Sequence, residues 1–195
     1  KMLTFNVSTP PSGEIQLEQM ITSLNYPIDM VFATDGKLFF NEWTTGNIRI
    51  IDPGWQLRAQ PFYTVSNLFA SGSEAGLLGI TLDPNFASNK YVYVYYSAIN
   101  PLRNKIIRLT DVNNQGVNET VIIDNLPISP SGIHNGGIIK FGPDGKLYVV
   151  TGDAEQSALA QDVNYLGGKV LRINSDGSIP SDNPFPNSSV YSLGH

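Results

Sequence analysis

The side chains of this sequence that could carry out chemistry are few: two histidines and a small set of carboxylates in glycine-containing loops. His134 stands in the stretch His134-Asn135-Gly136-Gly137. An imidazole titrates near neutrality, so at such a position it serves either as a general base or as an ordinary turn residue. Asp153 directly follows Gly152. A carboxylate there can orient a catalytic neighbour, or it can cap a turn after an apolar strand over residues 146–151, and both readings stand open. Glu74 precedes Ala75-Gly76 and an apolar run, a setting that suits a hydrogen-bonding loop residue as well as a catalytic acid. His195, the last residue, reads as structural. Asp176-Gly177-Ser178 and Ser181-Asp182-Asn183 form an acidic stretch without the alternating ligands and closing glutamate of a calcium loop, so it reads as a turn.

The elements that must position these residues are short strands. The stretch Phe32-Ala33-Thr34-Asp35-Gly36-Lys37-Leu38-Phe39-Phe40 recurs as Phe141-Gly142-Pro143-Asp144-Gly145-Lys146-Leu147-Tyr148-Val149. Asp-Gly supplies the positive dihedrals of a tight hairpin turn, so each copy predicts two paired strands. A variant lies between them, Gly79-Ile80-Thr81-Leu82-Asp83-Pro84-Asn85-Phe86, followed by Tyr91-Val92-Tyr93-Val94-Tyr95-Tyr96. That aromatic run alternates with period two and reads as core strand, not as a sugar-stacking surface. Third strands are predicted over residues 47–52, 105–110 and 169–174, and fourth strands over 61–65 and 120–124. Residues 156–165 read as a loop with one helical turn.

Four antiparallel strands repeating roughly every 50 to 60 residues are the pattern of propeller blades. The expected fold is therefore an all-β propeller of four-stranded blades in one partial domain over residues 1–195. It divides into a tail (1–13), a strand closing the last blade of the ring (14–24), blade 1 (25–67), blade 2 (68–127), and blade 3 with the start of the next (128–195). Three blades cannot close a ring, so the remaining blades are expected from the rest of the chain or from another polypeptide, and an open wedge should expose apolar blade faces.

Composition narrows the function classes. A chain with 41% apolar and 15% charged residues is an ordinary globular one. A net charge of −5 with scattered Lys and Arg leaves no footprint for nucleic acid. The absence of cysteine excludes disulfides and thiolate metal sites. No apolar run is long enough for a membrane span. The chain opens on Lys1 and is read as a processed or partial product. Sequons at Asn6, Asn118 and Asn187 lie in turn-like sequence and, with few charges and many Asn, Ser, Thr and Tyr, predict an extracytoplasmic protein.

A series of motifs in fixed order then resembles a family. They are Glu74-Ala75-Gly76-Leu77-Leu78-Gly79, Asp83-Pro84-Asn85-Phe86, His134-Asn135-Gly136-Gly137, Gly152-Asp153, Gly168-Lys169-Val170-Leu171-Arg172-Ile173, Asp182-Asn183-Pro184-Phe185 and Leu193-Gly194-His195. Their order resembles that of the glucose/sorbosone dehydrogenases, soluble aldose sugar dehydrogenases. The resemblance implies a six-bladed propeller holding pyrroloquinoline quinone (PQQ) and calcium, of which this chain is the N-terminal half. It implies that His134 removes the proton of the anomeric hydroxyl while hydride passes to the quinone, and that Asp153 orients that imidazole. Glu74 matches a position near the sugar where the glucose-oxidising members have glutamine, which makes it a substrate-binding candidate. Quinone contacts and calcium ligands are expected after His195, and no metal ligand is assigned within the chain. The competing class is a non-catalytic extracellular propeller acting as a surface binding module.

Overall fold

The computed structural model describes residues 17–70 and 73–195. It holds three antiparallel sheets laid side by side, the blades of a β-propeller. Blade 1 contains β1 (Pro27–Phe32), β2 (Leu38–Glu42), β3 (Asn47–Asp52), β4 (Gln56–Leu57) and β5 (Tyr63–Thr64). Blade 2 contains β6 (Leu77–Leu82), β7 (Tyr91–Ile99), β8 (Leu102–Val112) and β9 (Gln115–Leu126), with the one-turn helix α1 (Phe86–Asn89) between β6 and β7. Blade 3 contains β10 (Gly136–Phe141), β11 (Leu147–Thr151), β12 (Lys169–Ile173) and β13 (Val190–Leu193). Each blade is a meander in chain order, except that β4 and β5 both pair with β3, dividing the outer edge of blade 1 between two short strands.

The repeated Asp-Gly turn has a form of its own. Gly36 and Gly145 take positive φ (86° and 71°), whereas the aspartates before them do not. The turn is thus closed by a single left-handed glycine, where paired positive dihedrals were expected. The aspartate instead folds its carboxylate onto the main chain: Asp35 Oδ1 accepts the N–H of Lys37 at 3.2 Å, and Asp144 Oδ1 accepts that of Lys146 at 3.1 Å. The same device recurs at Asp176 and Gly177, between β12 and the loop toward β13.

The middle blade is covered on both sides, which explains why β7 is buried at nearly every position. Period two sorts its side chains between two interfaces. Val92, Val94 and Tyr96 join Phe39, Ile48 and Ile50 of blade 1, while Tyr93 and Tyr95 join Ile139, Leu147 and Val149 of blade 3. Phe39 meets Phe62 and Phe86 edge-on, with ring centroids 5.3 and 5.7 Å away. Such pairs add about 0.5–1.5 kcal/mol each to their burial.

The inner strands β1, β6 and β10 lie together. Main-chain groups of a strand that point away from its partner need other partners. At Ile80 these come from the flanking blades: Asp29 Oδ2 accepts its N–H at 2.9 Å, and Lys140 Nζ donates to its carbonyl at 3.0 Å. The outer face of blade 1 is open. Ile28, Met30 and Phe32 are half exposed or more, and the first two border a shallow apolar cavity of about 170 Å³ with Leu38, Phe40 and Ile51.

Several expectations need adjustment. Of the strand expected over residues 14–24, residues 14–16 lie outside the described residues, and 17–24 form no strand. Ile21 and Leu24 pack instead on the outer face of blade 1, against the cluster of Leu38, Phe40 and Ile51. An outer strand there would need the sheet of a blade this sequence does not contain. The strand β13 was not anticipated, because its four residues carry too little alternation to register. The helical turn expected in residues 156–165 is a 3-10 turn, Ser157–Leu159. Asn118 and Asn187 are exposed, Asn118 within β9, and Asn6 lies outside the described residues.

Because a Cβ at Gly145 would meet nothing within 4 Å, Gly145→Ala isolates the backbone cost of the turn. It is expected to lower stability by about 1–2 kcal/mol in denaturant titrations, and an unchanged midpoint would contradict the left-handed assignment.

Candidate active site

Three loops at one end of the blades converge on His134. It lies two residues before β10, on the loop from blade 2, with Asp153 two residues past the end of β11. Its Nδ1 is 2.8 Å from Asp153 Oδ1, with the histidine side chain 52% exposed and the aspartate 18%. A carboxylate oxygen accepts, so Nδ1 carries the proton and Nε2 is left with its lone pair. The hydrogen bond to Asp153 holds the His134 pKa above its ordinary value of 6.5. Desolvation, second in size to that bond, opposes it, and the charges of Asp153, Glu74 and Glu155 each act more weakly in the raising direction.

The main chain at His134 is as specific as its ring. Its φ is 55°, a left-handed conformation that a residue with a side chain seldom adopts. Both of its main-chain groups are engaged: the N–H donates to Glu74 Oε2 at 2.6 Å, and the carbonyl accepts the N–H of Ala154 at 3.1 Å. The β11 end passes so close that a Cβ at Gly152 would collide with the His134 carbonyl, which is the reason for glycine before Asp153.

Asp153 both meets the His134 ring and closes a turn. Besides His134, its Oδ1 accepts the N–H of Glu155 at 3.0 Å, closing a turn in which Ala154 and Glu155 take positive φ. Glu155 reaches back to Ser131, whose hydroxyl donates to it and holds its carboxyl below the usual range. Tyr165 donates its hydroxyl to the Asp153 carbonyl at 3.1 Å. The loop carrying Tyr165 is pinned by Lys169, a fully buried ammonium donating to the carbonyls of Ala160 and Gly167, each at 2.7 Å. Burial lowers the pKa of that amine. His195 is structural as expected: its N–H donates to Gly168 O at 3.2 Å, and its Nε2 lies 2.8 Å from Ser192 Oγ.

Beneath the site runs a buried polar network that sequence reasoning missed. Asn135 is 2% exposed; its amide donates to Gly132 O at 2.8 Å, and its Oδ1 accepts from Asn104 Nδ2 at 3.1 Å. Asn104 also donates to Pro127 O and accepts from Ser97 Oγ, each at 2.7 Å. Tyr95 donates to the Asn135 carbonyl at 2.9 Å, and full burial pushes its phenol well above the usual range. The signal available beforehand was Ser97 in phase with Tyr93 and Tyr95 of β7, and Asn104 in phase with Ile106 of β8.

A family profile described as Glucose / Sorbosone dehydrogenase matches residues 24–195. Quinoprotein glucose dehydrogenase B of Acinetobacter calcoaceticus is 31% identical over 206 residues, an alignment covering 90% of this chain and 43% of that protein. Aldose sugar dehydrogenase YliI of Escherichia coli is 28% identical over 88% of this chain and 47% of its own length. The PQQ-bound structure of aldose sugar dehydrogenase from Streptomyces coelicolor superposes with a TM-score of 0.83 at 35% identity, over 90% of this chain and 52% of that one. The chain thus spans about half the length of the relatives it matches.

Among the described residues the ionisable groups that act most on His134 are acidic, a surround that suits hydroxyl groups but not the carboxylates of PQQ. Among the described residues no group of three or more His, Asp or Glu side chains is arranged to hold a metal ion.

Two measurements check the geometry. In Asp153→Asn the His134 ring should titrate at lower pH than in the parent, followed by NMR of the imidazole C–H protons; an unmoved titration would show that the pair does not form. Asn104→Ala leaves Ser97 and Asn135 buried without their partner, and should cost about 1–3 kcal/mol per orphaned group in thermal or denaturant unfolding.

Proposed function

Since the chain belongs to the glucose/sorbosone dehydrogenase family, we propose that it is the base-bearing half of a sugar dehydrogenase that oxidises an aldose at its anomeric carbon. The single observation that supports this reading is the 2.8 Å contact between His134 Nδ1 and Asp153, which leaves Nε2 as a proton acceptor on an exposed ring. In the proposed reaction Nε2 takes the proton of the anomeric hydroxyl as the C–H bond at the same carbon releases hydride, and the carbon–oxygen bond gains double-bond character. Asp153 holds the ring in the required tautomer and stabilises the imidazolium that forms. Glu74 and the acidic rim accept hydrogen bonds from sugar hydroxyls. PQQ, when bound, supplies the two-electron acceptor, held with calcium by residues outside this chain, in blades contributed by the rest of the polypeptide or by another one. The protein acts in an extracytoplasmic compartment, consistent with the exposed sequons at Asn118 and Asn187.

The test uses full-length protein reconstituted with PQQ and calcium, with dye reduction followed for several aldoses. His134→Ala should reduce kcat by about 10²–10⁴-fold. In the parent enzyme, activity should fall as pH drops through the His134 pKa, because only the neutral ring accepts a proton. An alanine variant that reduces dye as fast as the parent would show that His134 is not the base, and a parent protein that reduces no dye with any aldose would favour the non-catalytic propeller.

A further inference from the structure

Glu74 is mounted more firmly than a substrate contact requires. Ala75 behind it is fully buried, and Gly76 lies so close to the Trp43 ring that no side chain would fit. The N–H of Leu77 donates to the Trp43 carbonyl and the N–H of Ser97 to the Gly76 carbonyl, each at 2.9 Å. The residue before Glu74 ties the same two loops together, since Ser73 Oγ lies 3.2 Å from the carbonyl oxygens of both Ser131 and Gly132. From this base Glu74 Oε2 reaches the His134 N–H at 2.6 Å, across the boundary between blades 2 and 3.

We propose that Glu74 is a positioning residue: its carboxylate holds the His134 main chain in the left-handed conformation from which the imidazole meets Asp153. The inference rests on His134 being the base and deepens that reading. A main-chain N–H in a left-handed residue has no strand or helix partner, so an acceptor must be supplied, and a charged acceptor forms a bond roughly twice as strong as a neutral one. The carboxylate also adds to the negative field at the ring, beside Asp153 and Glu155, which are the other ionisable groups acting on it. A glutamine at this position could still accept the N–H through its carbonyl oxygen, but would contribute no charge.

The experiment compares Glu74→Ala and Glu74→Gln in the full-length protein loaded with PQQ and calcium. Glu74→Ala should lower kcat by about 10–100-fold through misplacement of the base, in addition to any rise in KM from the lost sugar contact. Glu74→Gln should recover most of kcat, while the acidic limb of the pH profile and the NMR titration of the His134 ring both move to lower pH. Should Glu74→Ala fail to fold, the Glu74→Gln pH profile decides the matter alone. A rise in KM with kcat and the His134 titration unchanged in both variants would overturn the proposal and leave Glu74 a plain sugar contact. If His134→Ala proved fully active, the base reading would fail, yet the His134 titration in the Glu74 variants would still decide whether Glu74 acts on it.

Discussion

A histidine held in a left-handed backbone conformation is the constraint from which the architecture of this site follows. That conformation is disfavoured for any residue with a Cβ, and it persists only where the surroundings supply more than the backbone loses. Here the N–H of His134 is bound by Glu74 from the loop before β6, and its carbonyl by Ala154 from the loop after β11. The residue is therefore clamped between a loop of blade 2 and a loop of blade 3. With the main chain fixed at both ends, the imidazole has little freedom left, and its Nδ1 lies on Asp153.

The clamp works because each loop is itself tied to something rigid. Asn135 is locked by Asn104 and Tyr95, which stand on the doubly buried strands of the middle blade. Asp153 is locked by its own turn and by Tyr165, and the loop carrying Tyr165 is gathered by the buried ammonium of Lys169. These contacts form a continuous path of hydrogen bonds around one rim, from Ser73 through Ser131 and Glu155 to Tyr165. A propeller suits such a site, because neighbouring blades pack face to face and hold loops distant in sequence in a fixed relation.

The electrostatics of the rim point the same way. The hydrogen bond to Asp153, and more weakly the charges of Asp153, Glu74 and Glu155, make the His134 ring more basic than a free imidazole. Such a field stabilises the imidazolium and works against binding another anion beside it.

Much of the fold was legible in the sequence, because strand alternation and the Asp-Gly turn are local signals. β3 was expected over residues 47–52 and lies there, and the three hairpins fall where the repeat put them. The short β13, the divided edge of blade 1 and the packing of Ile21 and Leu24 were not legible, since each depends on what lies across the sheet rather than along the chain. Motif order identified His134, Asp153 and Glu74 as candidates. Only the tertiary structure decided that Asp153 both closes a turn and binds the imidazole, that Glu74 grips a main-chain N–H, and that Ser97, Asn104 and Asn135 brace the loop from below. The contacts at Glu74, His134 and Asn135 join residues about 20 to 60 positions apart, and sequence periodicity carries no information about which polar groups meet once the blades are stacked.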